Sequence, residues 1–226
     1  MLVYDIMLDF SDKLNWILQE SALTSNDKVH SKTIFANIKS VEKLNHELDI
    51  NSNTVINLNL YMSSVNKRTF KILSTYLYLE KLHLGCTNTT DDLLKNITSL
   101  SNLITLHVNN TNITDDSIKY LTLIKSLRQL SLSDDNITDD GLKYMPLMRS
   151  LRQLSLDGTD ITDDGLRYLV PLQLSYLGIP YNIISDKCIK YIKKMNLSDL
   201  SLNYRGAGQI SLADKVREQL PNVNVL

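Results

Sequence analysis

Cysteine is scarce in this chain. Cys86 and Cys188 are the whole complement, far apart and in no CxxC pair, which excludes a disulfide framework and a zinc knuckle. The 7 glycines form no Gly-rich phosphate loop and no GxSxG phrase, so the usual motifs for nucleotide and acyl chemistry are missing. Neither sign of charge is in excess: 24 Lys and Arg face 25 Asp and Glu, for a net charge of -1. The basic residues are spread along the sequence, so no global attraction to nucleic acid or to an anionic membrane is expected. No apolar run approaches the ~18 residues that a membrane span requires. The opening MLVYDIMLDF carries Asp5 and Asp9 where a signal peptide has a basic patch and then an apolar stretch. The sequons at Asn88, Asn96, Asn112, Asn136 and Asn196 are therefore read as unused, since glycosylation needs secretion. The expectation is a cytoplasmic protein in a reducing compartment.

What the chain has in abundance is repetition, in the phrase LxxLxL. Copies open at Val55, Leu79, Leu103, Leu127 and Leu151, each 24 residues after the last. Three more follow at Leu174, Leu197 and Leu220, now at steps of 23. Alternating apolar residues in such a phrase point inward from a short strand while their neighbours point out. The text between copies is periodic too. Thr87, Thr111, Asp135 and Thr159 share one slot, and Ile113, Ile137, Ile161 and Ile184 share another. A hydroxyl follows (Thr90, Thr114, Thr138, Thr162, Ser185) and then an acidic pair or a single Asp. Hydroxyl followed by carboxylate predicts a helix start, with the oxygen capping free N–H groups and the acids at the positive end of the dipole. Leu142, Met145 and Met148, and again Leu166, Leu169 and Leu172, predict a buried helical face in each repeat.

No repeat of this kind buries its apolar face alone, so neighbours must stack. Parallel strands stack at ~4.8 Å and helices at ~8–10 Å, which bends the stack with its strands inside. The pattern resembles the leucine-rich repeats, and its TDDGLKY phrasing is similar to repeats of F-box leucine-rich proteins and of bacterial repeat proteins. The fold class that follows is α/β: a leucine-rich repeat solenoid, a curved horseshoe with a parallel sheet on the concave face and helices on the convex face. The array covers 55–226, with an N-terminal helical cap over 1–54. The slot where many such repeats carry asparagine holds Thr87, Thr111, Asp135 and Thr159 here, so an unbroken asparagine ladder is not expected.

Several side-chain series have structural readings. The acids Asp91, Asp115, Asp139, Asp163 and Asp186 each precede a base by four residues (Lys95, Lys119, Lys143, Arg167, Lys190), the favourable order for helix ion pairs worth ~0.2–0.5 kcal/mol each. Tyr120, Tyr144, Tyr168 and Tyr191 are expected in a row where one helix meets the next. In the first 54 residues, Val3, Met7, Phe10, Leu14 and Ile17 keep helical spacing, a second helix is expected in VEKLNHEL after Ser40, and KTIFA offers a degenerate strand. Trp16 is read as packing against the first repeat. No Leu-Pro opening marks an F-box there. SLADKVREQL reads as a capped helix and PNVNVL as a last strand, an edge that can pair with a second copy to give a weak homodimer.

The residues flanking the buried strand leucines are expected on the concave face. They are Asn57, Asn59, Tyr61, Lys81, His83, Thr105, His107, Asn109, Gln129, Ser131, Gln153, Ser155, Asp157 and Tyr176. This surface is polar, small and mostly uncharged, suited to hydrogen bonding with a partner protein across roughly 34 Å of eight strands. His83 and His107 share one slot in adjacent repeats, yet two imidazoles need a further ligand to hold zinc, and no metal or other cofactor is expected. No nucleophile and base, and no unequal carboxylate pair, marks a catalytic centre. The expectation is a non-enzymatic protein-binding module. The resemblance implies two alternatives, a substrate-recognition or effector subunit of a ubiquitin-ligase-type machine and a self-associating structural repeat.

Overall fold

The computed structural model describes residues 32–35, 55–203 and 210–226. The helices expected over Val3–Ile17 and after Ser40, and Trp16, lie outside them. Among the described residues nine strands form one parallel sheet in sequence order. They are β1 (Lys32–Phe35), β2 (Val55–Asn59), β3 (Lys81–His83), β4 (Thr105–His107), β5 (Gln129–Ser131), β6 (Gln153–Ser155), β7 (Tyr176–Pro180), β8 (Asp199–Asn203) and β9 (Asn224–Val225). From β2 to β9 each strand comes from one LxxLxL phrase. Leu58, Leu82, Leu106, Leu130, Leu154, Leu177 and Leu200 stand side by side through the register. All are buried, as are Leu84, Val108, Leu132, Leu156, Ile179 and Leu202 two residues on. At roughly 1.5–3 kcal/mol for each fully buried aliphatic side chain, these two columns hold the rungs together. β1 comes from KTIF and pairs with β2 through a register shift at Lys32/Thr33.

The opposite wall is less uniform than the expected row of helices. It contains α1 (Lys67–Leu73), α2 (Asp91–Leu94), α3 (Asp115–Leu121), α4 (Asp139–Leu142), α5 (Asp186–Ile192) and α6 (Ile210–Gln219). α2 and α4 are single turns continued by 3-10 turns at Lys95–Ile97 and Met145–Leu147, and the repeat after β6 has only a 3-10 turn, Gly165–Tyr168. Pro146 lacks an N–H to continue α4, and glycine at positions 141 and 165 weakens a helix by about 1 kcal/mol relative to alanine. The apolar face is kept despite the broken helices: Leu142, Met145, Met148, Leu166, Leu169 and Leu172 are all buried.

Those glycines have a steric cause that the period hides. The first acids of α2, α3 and α4, and Asp163 in the same slot, reach into the next repeat rather than along their own helix. Asp91 accepts from the N–H and hydroxyl of Thr114 (2.9 and 2.7 Å), Asp115 from those of Thr138 (2.8 and 2.7 Å), and Asp139 from those of Thr162 (2.9 and 2.6 Å). Asp163 accepts from the Ser185 hydroxyl at 2.6 Å. Each threonine oxygen also accepts an N–H of its own first turn, from Asp116, Asp140 and Asp164. A Cβ at Gly141 or Gly165 would run into the Asp115 or Asp139 carboxylate. Ser117 in the equivalent place donates to Asp91. At the equivalent place Leu93 follows a helix that begins with Lys67 rather than with an acid, and Thr90 makes no side-chain cap bond.

The expected i,i+4 ion pairs are therefore replaced. Lys95 and Lys119 pair with the second acid, Asp92 and Asp116, at 2.5 and 2.6 Å and i,i+3 spacing; Lys143 likewise pairs with Asp140, and Arg167 approaches Asp164 at 3.9 Å. Asp186 and Lys190 form no ion pair among the described residues. Tyr144, Tyr168 and Tyr191 lie half-buried against the core. Lys119 sits over the Tyr144 ring at 5.4 Å, Arg167 over Tyr168 at 4.8 Å and Lys194 over Tyr191 at 6.0 Å. α6 starts at Ile210, one residue before the expected cap Ser211.

Candidate functional site

The outward positions of the sheet form two columns, fixed by register. One runs Asn57, Lys81, Thr105, Gln129, Gln153, Tyr176, Asp199 and Asn224. The other runs Asn59, His83, His107, Ser131, Ser155, Gly178 and Ser201. Most of the expected residues are half-buried or exposed, among them Tyr61 at 45% exposure at one end. Thr105 is the departure: at 4% exposure it is covered, and its hydroxyl donates to Gln129 Oε1 at 2.9 Å. Thr105 stands in the register between the longer Lys81 and Gln129, which flank it on both sides.

Hydrogen bonds run across the rungs in this wall. Gln129 Nε2 donates to Gln153 Oε1 at 3.0 Å, continuing the chain from Thr105. Ser133 and Ser155 share a hydrogen bond of 2.9 Å, and Ser155 donates to Asp157 Oδ2 at 2.9 Å. Asp199 accepts from Asn224 at 2.9 Å. Such cross-rung bonds fix rotamers before any partner arrives, which lowers the entropy cost of binding. Gly178 breaks the second column. A Cβ there would lie 2.8 Å from Asp157 Oδ2 and 2.9 Å from Ser155 Oγ, so the gap lets those two side chains lean across the rung. Reading alternate strand positions for polar side chains passes over a glycine, although the period itself marks its place.

The imidazoles of His83 and His107 face each other with centroids 4.2 Å apart and planes at 54°. Burial pushes the His107 pKa down to about 4, with the neighbouring His83 adding to the shift. Burial and then Lys81 lower that of His83. Both rings are thus neutral near pH 7 and offer a donor and an acceptor each. Among the described residues no three His, Cys, Asp or Glu side chains come together in a metal-ligating group.

The strand-end turns carry a third column, in the left-handed conformation. Met62, Cys86, Asn110, Asp134 and Gly158 have φ of 57°, 55°, 55°, 58° and 69°. Side chains other than glycine enter this region at a cost of about 1 kcal/mol. Cys86 Sγ contacts Tyr61 Oη and Asn110 Nδ2, each at 3.3 Å.

A family model for the leucine-rich repeat matches residues 124–145 and 148–170. These segments contain β5 and β6, whose geometry the other rungs reproduce through the register. The fold is a leucine-rich repeat solenoid. No curated protein matches the chain by sequence. Among solved structures 238 chains match. One is internalin C2 from Listeria monocytogenes str. 4b F2365, 22% identical over 67% of this chain and 72% of that one, at a TM-score of 0.49. No helix among the described residues of this repeat protein is long and apolar enough to cross a membrane. The asparagine slot is filled by Thr87, Asp135 and Thr159, all buried, and by Thr111. Thr87 and Thr159 donate to the carbonyls of Leu84 and Leu156 at 2.7 and 2.6 Å, so a hydroxyl substitutes for the amide. Asp135 accepts from the N–H and hydroxyl of Thr111 at 2.7 and 3.0 Å.

Proposed function

We propose that this repeat protein is a non-enzymatic interaction module that binds a partner protein on its concave sheet. The observation that carries the reading is the cross-rung ladder of neutral side chains, from Thr105 through Gln129 to Gln153. It lies beside the neutral His83–His107 pair and is bounded by Tyr61 and Tyr176 near its ends. Nine strands at ~4.8 Å separation span roughly 38 Å, enough for an interface of ~800 Å² per partner. Binding rests on hydrogen bonds read by a pre-ordered surface, with the tyrosines as anchors. We place the protein in the cytoplasm, in keeping with its two free thiols at Cys86 and Cys188.

The test is capture of partners from cell lysate by the wild-type chain and by a variant with His83→Glu, His107→Glu, Gln129→Glu and Gln153→Glu. Loss of specific bound proteins from a variant that still melts cooperatively supports concave recognition. Identical capture by both overturns it. Enrichment of ubiquitin-ligase subunits in the wild-type capture alone identifies the class of machine served.

A further inference from the structure

Several surface cations are paired with carboxylates. Lys95, Lys119 and Arg217 lie 2.5, 2.6 and 2.9 Å from Asp92, Asp116 and Asp214, and Lys143 and Lys187 pair with Asp140 and Asp164. Four cations near the entry to β5 and β6 are not so paired and lie close together. Among the described residues Lys125, Arg128, Arg149 and Arg152 have no carboxylate partner. Lys125 donates to the Thr122 carbonyl at 2.6 Å, and Arg152 to those of Arg149 and Leu151 at 3.0 and 2.8 Å. These bonds to neutral oxygens leave the positive charge uncompensated.

The four are gathered by the repeat. Arg128 and Arg152 occupy adjacent rungs, joined by the Arg152 N–H to the Arg128 carbonyl at 2.8 Å. Lys125 and Arg149 line one open groove with Ile124, Leu127, Leu147 and Met148. Leu147 is 56% exposed, and Leu123, in the same slot one rung earlier, is 58% exposed. Neighbouring rungs are ~4.8 Å apart, well inside the screening length of ~8 Å. Like charges stacked so closely destabilise a sheet, and an anionic ligand would relieve them.

We propose that this groove is a second docking site, off the concave face, for an acidic segment of a partner protein carrying an aliphatic anchor. Carboxylates of the segment meet the four cations, and its anchor lies on Leu147 and Met148. The floor is aliphatic and its lining includes no aromatic ring on which a nucleic-acid base would stack. That chemistry favours a peptide over a nucleic acid. The groove shares no lining residue with the two concave columns.

The experiment is fluorescence anisotropy with a labelled glutamate-rich synthetic peptide bearing a central Leu-Leu pair. Its Ser-Ser counterpart, a DNA duplex and phosphatidylserine vesicles serve as comparison ligands. We expect saturable binding of the Leu-Leu peptide with Kd below ~1 mM. Affinity should fall about tenfold or more in R149E/R152E, severalfold in Leu147→Ser, and steeply with salt, with no change in H83E/H107E. Any variant that fails to melt cooperatively is replaced by R149Q/R152Q, which is expected to weaken binding in the same direction. Four results each overturn the proposal: no saturable binding, equal binding by wild type and charge variants, tighter binding of DNA or vesicles than of peptide, or loss of binding in H83E/H107E.

Discussion

Replacing Asp135 by asparagine should stabilise the protein at neutral pH and flatten its stability profile. Asp135 is 5% exposed. Its Oδ1 accepts two hydrogen bonds from Thr111, while Oδ2 has no partner among the described residues. Burial, offset by those bonds and reinforced by the Asp134 and Asp91 carboxylates, raises its pKa from 3.8 to about 7. The folded state therefore holds this proton more tightly than the unfolded state does. Its stabilising effect is complete below pH 3.8 and is lost as pH rises through about 7. The whole interval corresponds to a ceiling of about 4 kcal/mol. Water reaching a carboxylate so near the surface reduces that, and about 1–2 kcal/mol is the expected cost of ionisation. Asparagine keeps an acceptor for Thr111 and carries no charge. In thermal melts at about pH 8, Asp135→Asn should raise the Tm by roughly 2–8 °C. The gain should shrink on acidification and vanish well below pH 3.8, where the wild-type side chain is neutral in both states. Parallel profiles for the two proteins, or a lower Tm for the variant at about pH 8, would refute the reasoning.

The two acids of each helix start should separate in urea titrations: Asp115→Ala removes both bonds to Thr138 and should cost about 1–3 kcal/mol, whereas Asp116→Ala loses an exposed ion pair with Lys119 and should cost under about 1 kcal/mol. Equal costs would contradict the forward role of the first acid. Gly165→Ala should destabilise by about 1–3 kcal/mol despite the better helix propensity, because its methyl meets the Asp139 carboxylate; a double-mutant cycle with Asp139→Ala should show the cost largely relieved, and additive effects would remove the steric explanation. In native alkylation followed by mass spectrometry, Cys86 should react well before Cys188, which is buried and whose thiol burial pushes up to about 12; the reverse order would contradict the placement of both thiols.

Leu130 and Leu154 illustrate why the sheet was legible from sequence. An apolar residue at a fixed period of 24 can be satisfied only by stacking one copy on the next, and the strands pair in that register. The helical wall was less legible because its local signals conflict with contacts 23 residues away. Asp115 and Lys119 have the spacing of an ion pair, but Thr138 offers that carboxylate two hydrogen bonds, a competition that intra-helix spacing does not register. Thr105 looked like its exposed neighbours because alternation gives a side chain's direction and not its cover. The basic groove was hidden for another reason. Lys125 and Arg149 look scattered along a chain of balanced charge, yet a repeat of 24 lays them beside one groove. Applying the period to charged residues as well as to leucines would have exposed it.

The carboxylate contacts between repeats give the solenoid a polarity. Asp91, Asp115 and Asp139 each serve the hydroxyl and N–H of the unit that follows, so an earlier rung offers the acceptor that a later rung needs. A chain emerging from the ribosome with its N-terminus first meets these requirements in order: the helix starts at Thr114, Thr138 and Thr162 find their anchors already in place. Trimming from the far end removes only recipients, whereas trimming from the near end deprives the next rung of its support, so the array is built to tolerate loss at one extremity better than at the other.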